Sequence, residues 1–172
     1  MLDVAVTVAA DWPLPDGGDW EAVVTRAVEA AVSASPYADI LDAEEAYEVA
    51  VRLSDDAEVH ALNREWRGKD KPTNVLSFPQ MEPEEIGEGS MHPGQELLLG
   101  DAVLAVQTCV REAAEKRLSV TEYAAHLVVH ATFHLLGFDH EDDEAARDME
   151  NRERAAMARM GYEDPYRTDE VN

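Results

Sequence analysis

The chain is 172 residues long and carries 14 Lys or Arg against 37 Asp or Glu, so its formal net charge is −23. A charge of this size repels polyanions at long range, and a nucleic-acid substrate would need a local basic surface or a partner that supplies the counter-charge. The length predicts one domain spanning residues 1–172 with a buried core. The single cysteine, Cys109, excludes an intramolecular disulfide and favours a reducing cytoplasm, and no apolar run predicts a membrane span.

The first third of the chain predicts two strands around a helix. Apolar residues alternate with polar ones over residues 2–8 and again over residues 45–53, which is the pattern of half-buried strands. Between them, residues 19–34 carry apolar side chains at helical spacing. Asp55 or Asp56 can cap a short helix that follows the second strand. The inner face of this helix is predicted to carry Val59, Leu62 and Trp66.

Two more strands are predicted in the middle of the chain. Residues 75–78 form a short apolar run, and residues 96–106 form a longer one that is interrupted by Asp101. A carboxylate in such a strand is costly unless it has a partner, so Asp101 either bonds a neighbouring loop at a bulge or orients a metal-binding histidine. Residues 80–96 predict a surface loop, either a lid or a connector.

The second half of the chain is predominantly helical. Residues 107–116 predict one helix, a histidine-containing helix follows, and a last helix with an acidic first turn extends to about residue 160. Strands followed by helices, without internal repeats, predict an α+β fold. We expect a single mixed β-sheet of about four strands packed with about five to six helices.

Residues 119–140, SVTEYAAHLVVHATFHLLGFDH, contain four of the six histidines. Ser119 and Glu122 form a capping-box pattern, which predicts that a helix begins here. His130 and His134 are four residues apart, so a helix places them one turn apart on the same face. Such a pair can bind one metal ion.

A third ligand is predicted from the residues that follow this pair. Gly137 permits a left-handed helix end, after which His140 can return towards the pair. His126 competes, but it lies eight residues before His134, roughly 12 Å along a helix. Because zinc–nitrogen bonds are about 2 Å long, one ion cannot bind both residues. We therefore predict that His130, His134 and His140 bind one Zn²⁺ per chain, although nickel or copper suits the same ligands.

The spacing H-x3-H-x2-G-x2-H is shared with a class of zinc peptidases. Those enzymes carry a glutamate as general base directly after the first histidine, and here that position is Ala131. Peptide hydrolysis is therefore disfavoured. Three neutral ligands leave one coordination position open, which is typical of catalytic rather than structural zinc.

A basic segment, RGKDKPTNVLSFP, occupies residues 67–79. Arg67, Lys69 and Lys71 fall within five positions of an otherwise acidic chain. They predict either a loop that binds substrate phosphates, for which the arginine fork is well suited, or a solvated turn. On this segment alone, the solvated turn is the favoured interpretation.

Three motifs together resemble those of the YbeY family of single-domain bacterial endoribonucleases. They are RGKDKPTNVLSFP, the LGD that ends at Asp101, and HLVVHATFHLLGFDH followed by ED, in this order within residues 67–142. The ending GYEDPY at residues 161–166 also fits. The chain departs from the family pattern at two positions, with Ala131 where the family usually has Gly and Phe138 where it usually has Tyr.

The resemblance implies a metalloprotein-like fold in which His130, His134 and His140 bind zinc and Arg67 is the functional arginine. It implies an RNA substrate rather than DNA, notably the 3′ end of the small-subunit (16S) ribosomal RNA precursor. The small ribosomal subunit and its assembly factors are the implied partners, with roles in ribosomal RNA processing and ribosome quality control. No membrane partner is implied.

These observations predict how the chemistry would be divided among the residues. Arg67 and His130 are predicted to carry catalysis, Arg67 at the scissile phosphate and His130 at the metal. The general base stays open between His126, Asp139 and Glu141, and the RNA 2′-OH is an alternative nucleophile. Two rival functions remain: a non-catalytic ribosome-assembly protein braced by zinc, and a zinc peptidase without its usual base.

Overall fold

A computed structural model describes residues 1–87 and 96–167 of the chain. The described strands are β1 (Leu2–Val8), β2 (Ala46–Ser54), β3 (Val75–Pro79) and β4 (Glu96–Ala105). The helices in this part are α1 (Trp20–Ser33), α2 (Asp56–Arg67), α3 (Val106–Glu115), α4 (Val120–Leu135) and α5 (Asp143–Arg159). Short 3₁₀ turns occupy Ala38–Asp42 and Pro83–Glu85. The α+β fold predicted from the sequence is confirmed.

The four strands form one mixed sheet in the order β1-β2-β4-β3. Strand β2 pairs in parallel with both β1 and β4, whereas β3 pairs antiparallel with β4 at the edge of the sheet. The β2–β4 register shifts so that Val49 lies opposite Gly100 while Glu48 lies opposite Leu98. Leu99 is therefore an extra residue on β4, which makes the predicted interruption a β-bulge within a continuous strand.

The two faces of the sheet are covered unequally. Helices α1 and α4 pack on one face, and α5 packs on these two helices. The core on this side joins all three of these helices to the sheet and includes the fully buried Phe133 and Leu104. Helix α2 contacts β3 and β4 on the other face, where Val59 packs with Leu76 and Val103. Side chains alternate along a strand, so neighbouring residues of β4 belong to different cores.

Polar side chains cap the first turns of α1, α2, α4 and α5. Asp19, Ser119 and Asp142 each accept a backbone hydrogen bond from the first turn of α1, α4 and α5. At α2, Asp55 is the cap and accepts from the backbone N–H of Glu58. Asp56 instead accepts hydrogen bonds from Thr108, on α3, and so ties α2 to α3.

Two features of the fold differ from the sequence-based expectations. Trp66 was expected on the buried side of α2, but it is 70% exposed and borders an open cavity at the last turn of the helix. In the predicted loop 80–96, a 3₁₀ turn is followed by Ile86, which is buried in the main core. Residues 88–95 of that predicted lid or connector lie outside the described residues. Within the described ranges, no helix combines the length and hydropathy needed to cross a membrane.

Candidate metal centre and active-site cleft

A cleft of about 640 Å³ runs between α4, β3 and the segment after α5. Its wall contains the four histidines of residues 119–140 together with Arg67. Val75, Ser77 and Pro79 contribute the β3 side. The structure thus brings Arg67 into one cleft with histidines that lie at least 59 residues further along the chain.

The end of α4 has the geometry that Gly137 predicts. Gly137 has a φ of +93° and donates its backbone N–H to the carbonyl of His134. The N–H of Phe138 donates to the carbonyl of Phe133, completing a Schellman motif. A Cβ atom on Gly137 would stand 2.4 Å from Cγ of Pro83. Glycine is therefore required both for the backbone angle and for the close approach of the neighbouring turn.

His130 and His134 direct the same ring atom towards each other. Their Nε2 atoms are 3.1 Å apart, and their ring centroids are 4.6 Å apart. The Nδ1 atom of His134 lies 3.0 Å from the carbonyl oxygen of Phe138, which can only accept, so Nδ1 carries the proton. Burial, together with charge on His130 and His140, lowers the pKa of His134 to about 4. His134 is therefore neutral near pH 7 and presents a lone pair at Nε2.

The partner of His130 is Glu153, a residue on α5 that the sequence analysis did not identify. Nδ1 of His130 lies 3.2 Å from Oε2 of Glu153, and Nε2 of His126 lies 2.6 Å from Oε1. Burial favours a higher pKa for Glu153, but the hydrogen bonds from His126 and His130 outweigh it and lower the pKa to about 2. An ionised carboxylate only accepts hydrogen bonds, so both histidines donate to it.

These contacts test whether the residues suit a metal ion. With Nδ1 of both His130 and His134 acting as donor, a lone pair remains on each Nε2 when the rings are neutral. Two lone pairs that face each other at 3.1 Å require an electrophile, either a proton at low pH or a cation. Imidazole nitrogens with their second nitrogen bonded to a carboxylate or carbonyl are the usual zinc ligands. The pair therefore fits a zinc ion.

His140 lies beside this pair on an exposed loop. Its ring centroid is 5.4 Å from that of His134 and 6.1 Å from that of His130. Among residues 1–87 and 96–167, no three histidine, cysteine or carboxylate side chains stand in ready coordinating geometry. His140 therefore lies near the pair without standing in coordinating geometry with it. The competing His126 is turned away from the pair and bonds Glu153.

The loop that carries His140 is braced by its neighbours. The ring of Phe138 packs edge-on against that of Phe133, with the centroids 5.4 Å apart. The guanidinium of Arg152 lies over the same Phe138 ring, 5.2 Å from its centroid. Asp139 accepts a hydrogen bond from the backbone N–H of His140. Phe138 lacks the hydroxyl of the tyrosine that the family usually has here, but its ring is still packed between Phe133 of α4 and Arg152 of α5. Asp139 lines the cleft beside His140.

The basic segment divides into a residue inside the cleft and residues outside it. Arg67 ends α2 and lines the cleft, and Lys116 at the end of α3 joins it there. Lys69 and Lys71 are exposed and do not line the cleft. The backbone of this loop is anchored by the buried Asn63, whose amide donates to the carbonyl of Lys71. The loop is therefore held in place by a side chain that the sequence analysis did not single out.

A hydrogen-bonded triad fixes the start of β3 against the helices. The amide of Asn74 and the hydroxyl of Tyr123 both donate to Oε1 of Glu112, at 2.9 and 2.6 Å. Burial and the nearby Glu112 charge raise the pKa of Tyr123, which keeps its hydroxyl protonated. Asn74 and Tyr123 also line the cleft, so this triad shapes its wall.

Asp101 lies on the face of the sheet away from the histidines. It lines a separate cavity with Trp66 and Phe78 on the α2 side. Burial raises the pKa of Asp101. In this position the carboxylate is separated from α4 by the sheet, and Glu153 instead contacts the histidines.

Comparisons with known sequences agree on one family over most of the chain. The family model described as endoribonuclease YbeY matches residues 18–161. A protein of Rhizorhabdus wittichii called endoribonuclease YbeY is 52% identical, over 96% of this chain and 97% of its own length. A protein of Sphingopyxis alaskensis with the same name is 51% identical, over 96% and 98%. The solution structure of TM1509 from Thermotoga maritima has a TM-score of 0.53 at 19% identity, covering 96% of this chain and 98% of that one, and shares the fold.

The fold and the cleft together define a small α+β protein in which helix-borne histidines share one cleft with an arginine. The sequence matches are more specific than this class. The chain belongs to the endoribonuclease YbeY family. The resemblance inferred from three motifs is confirmed, and membership supports an endoribonuclease role, that is, a hydrolase.

Proposed function

We propose that this chain is a zinc-dependent endoribonuclease that cleaves single-stranded RNA. His130, His134 and His140 would hold the ion, and Arg67 would bind the scissile phosphate. The observation that carries the proposal is the placement of two facing Nε2 atoms, 3.1 Å apart, in the same cleft as Arg67. The names of the curated relatives support RNA as the substrate.

The cleft also provides the local positive charge that the whole chain lacks. Arg67 and Lys116 are its cationic side chains, and Asp139 is the carboxylate among the described residues that line it. The net charge of the whole chain is −23. An RNA backbone would therefore be attracted at the cleft and repelled elsewhere. This contrast supports binding of a short single-stranded segment rather than a long duplex.

Each residue of the cleft would have a separate task in phosphoester hydrolysis. Bound zinc would supply Lewis acidity at a phosphoryl oxygen and a lowered pKa for water. Arg67 would neutralise the charge that grows on the phosphate, through its planar fork of donors. Nε2 of His126 donates to Glu153, so His126 could accept a proton only at Nδ1, and Asp139 is the other candidate in the cleft. The RNA 2′-OH remains the alternative nucleophile.

The biological setting is proposed on the same grounds. The substrate would be the 3′ end of the 16S ribosomal RNA precursor, in the cytoplasm, with the small ribosomal subunit and assembly factors as partners. The acidic surface supports delivery by such partners, because free RNA would be repelled outside the cleft. The same acidity favours the second candidate, a zinc-braced assembly protein without catalysis. A zinc peptidase is least favoured, because Ala131 occupies the position of the base.

The proposal is tested by measuring metal content and cleavage of a 16S precursor by purified protein. We expect one zinc per chain and cleavage in the native protein, and loss of both in His134→Ala. Arg67→Ala should keep its zinc but lose about 10²–10³-fold in rate, because one preorganised donor at a developing charge contributes about that much. Arg64→Ala, on the exposed face of the same helix, is the matched control and should retain the native rate.

The alternatives give different results in the same assay. Zinc without cleavage, even after small subunits are added, would support the assembly-protein candidate. Equal loss of rate in Arg64→Ala and Arg67→Ala would remove the specific role of Arg67. Chelator-sensitive turnover of a peptide would support the peptidase instead.

A further inference from the structure

Glu153 is the most deeply buried carboxylate among the described residues. Its side chain is 1% exposed, and it lies on α5 facing the histidine face of α4. Its carboxylate accepts three hydrogen bonds: His126 and Tyr166 donate to Oε1 at 2.6 and 2.9 Å, and His130 donates to Oε2 at 3.2 Å. A buried charge without such partners would be strongly destabilising. The three hydrogen bonds to this buried carboxylate indicate that Glu153 has a specific role beside the histidines.

The geometry shows what the charge accomplishes at His130. A neutral imidazole carries its proton on one nitrogen, and the acceptor next to that nitrogen selects which one. With Oε2 of Glu153 beside Nδ1, the proton is kept on Nδ1, and Nε2 is left as the acceptor that faces His134. Without the carboxylate, either tautomer and several ring rotations would be available to His130.

Tyr166 connects this arrangement to the end of the described chain. Its hydroxyl donates to Glu153, and its ring stands edge-on to His126 at 5.4 Å. Burial and the Glu153 charge raise the pKa of Tyr166, so the hydroxyl stays a donor. The segment that carries Tyr166 is fixed by Arg154, which donates to both oxygens of Asp164 at 3.1 Å.

We propose that Glu153 is the positioning residue of the metal site, that it fixes the tautomer and ring orientation of His130, and that Tyr166 holds it in place. The segment after α5 is then a part of the site rather than a terminal extension. The role of Glu153 in zinc affinity rests on the proposed function, whereas its role in setting the His130 tautomer does not.

The first measurement needs no metal. Nitrogen-15 spectra of histidine-labelled, metal-free protein at pH 8 distinguish an Nδ1–H ring from an Nε2–H ring. We expect His130 to be an Nδ1–H tautomer in the native protein and a mixture in Glu153→Gln, because a glutamine can donate as well as accept. Tyr166→Phe, which removes one hydroxyl and leaves the carboxylate, should shift the same signals less. An unchanged His130 signature in folded Glu153→Gln would overturn the proposal.

The second measurement is zinc affinity by chelator competition. Loss of an outer hydrogen-bond partner of a ligand histidine reduces affinity by about 10–100-fold, so we expect this loss in Glu153→Gln and a smaller one in Tyr166→Phe. Glu150→Gln removes the same charge from the same helix and should bind zinc as the native protein does. Equal losses in Glu150→Gln and Glu153→Gln would reduce the effect to general electrostatics and overturn the proposal.

The two proposals fail in different ways. If the native protein binds no zinc, the proposed metal-dependent function fails, and the tautomer spectra alone decide the role of Glu153. If the native protein binds zinc and Glu153→Gln binds it equally well, the function stands and the positioning role fails.

Discussion

At the scale of single residues, the chemistry of the cleft depends on partners that hold each histidine in one state. His134 donates Nδ1–H to the carbonyl of Phe138, and this bond exists because Gly137 turns the chain back over the end of α4. His130 depends on a carboxylate from another helix. One partner is therefore local in sequence and the other is distant. This difference explains why only the first could be anticipated from residues 119–140.

The lowered pKa of His134 predicts acid sensitivity of the metal-free protein. Its ordinary pKa is 6.5 and its folded value is about 4, so between these values the unfolded chain binds a proton that the folded chain does not. Above about pH 6.5 the titration of His134 therefore does not change the free energy of unfolding. As pH falls from 6.5 towards 4, it lowers the free energy of unfolding. Between pH 7.5 and 5.5 we expect it to lower the free energy of unfolding by about 1 kcal/mol after allowance for solvent screening.

Urea unfolding with a chelator present, at pH 7.5 and 5.5, measures this dependence. His134→Gln should be less sensitive to this pH change than the native protein by about that amount. Identical pH dependence in the native protein and His134→Gln would contradict the assignment.

At the scale of elements, the bulge in β4 links the sheet to the histidine helix. Gly100 follows the extra residue Leu99 and has a φ of +152°, which side-chain-bearing residues rarely adopt. A Cβ atom there would stand 2.5 Å from the carbonyl oxygen of Phe78 and 2.7 Å from Cδ2 of Leu135. Leu135 directly follows His134, so the packing of the bulge limits where the histidine-bearing end of α4 can lie.

Gly100→Ala is therefore expected to be strongly destabilising. The clash with backbone and the unfavourable φ together should lower the free energy of unfolding by about 2–4 kcal/mol. Gly161→Ala is a matched control, because its φ of +85° is also positive but its Cβ would meet no atom within 4 Å. Denaturant unfolding should show a loss of about 1–2 kcal/mol for the control. Equal losses in the two variants would mean that the close approach at Gly100 contributes nothing.

At the scale of the whole molecule, the charge of −23 and the cationic cleft act in opposite directions on RNA. Contacts that RNA phosphates would make with Arg67 and Lys116 under the proposed function would release counterions, so these contacts would weaken with salt. Repulsion by the rest of the surface is screened by salt, which favours binding. The balance differs from that of a basic RNA-binding protein, in which both effects weaken binding as salt increases.

The expected result is a shallow salt dependence of RNA binding. Two phosphate contacts on a single strand give a slope of about −1.4 in log affinity against log salt, or roughly sevenfold between 50 and 200 mM. We expect a loss no larger than this, measured with a short single-stranded RNA in the presence of chelator. Lys116→Gln should make the dependence of RNA affinity on salt still shallower than in the native protein. A loss of a hundredfold or more would contradict this cleft as the site of contact.

The sequence predicted the local features of this protein well, because they depend on residues close together in the chain. The amphipathic pattern of α1, the cap at Ser119 and the left-handed end at Gly137 were each predicted from neighbouring residues. Three motifs sufficed to predict the family. Asp101 shows the limit: its strand was correctly predicted, but which face it occupies depends on pairing with β2 and β3.

Glu153 marks the boundary between what the sequence determined and what the tertiary structure decided. In the sequence it is one of many carboxylates on an acidic helix, and nothing in its spacing relates it to His126, His130 or Tyr166. Local hydrogen bonds and side-chain periodicity are encoded within a few residues, so the sequence alone determined the helix, its histidine face and the glycine turn. The packing of α5 on α4 excludes water from Glu153, one carboxylate among many in this helix. Only this long-range burial decided which carboxylate accepts the hydrogen bonds of the histidines.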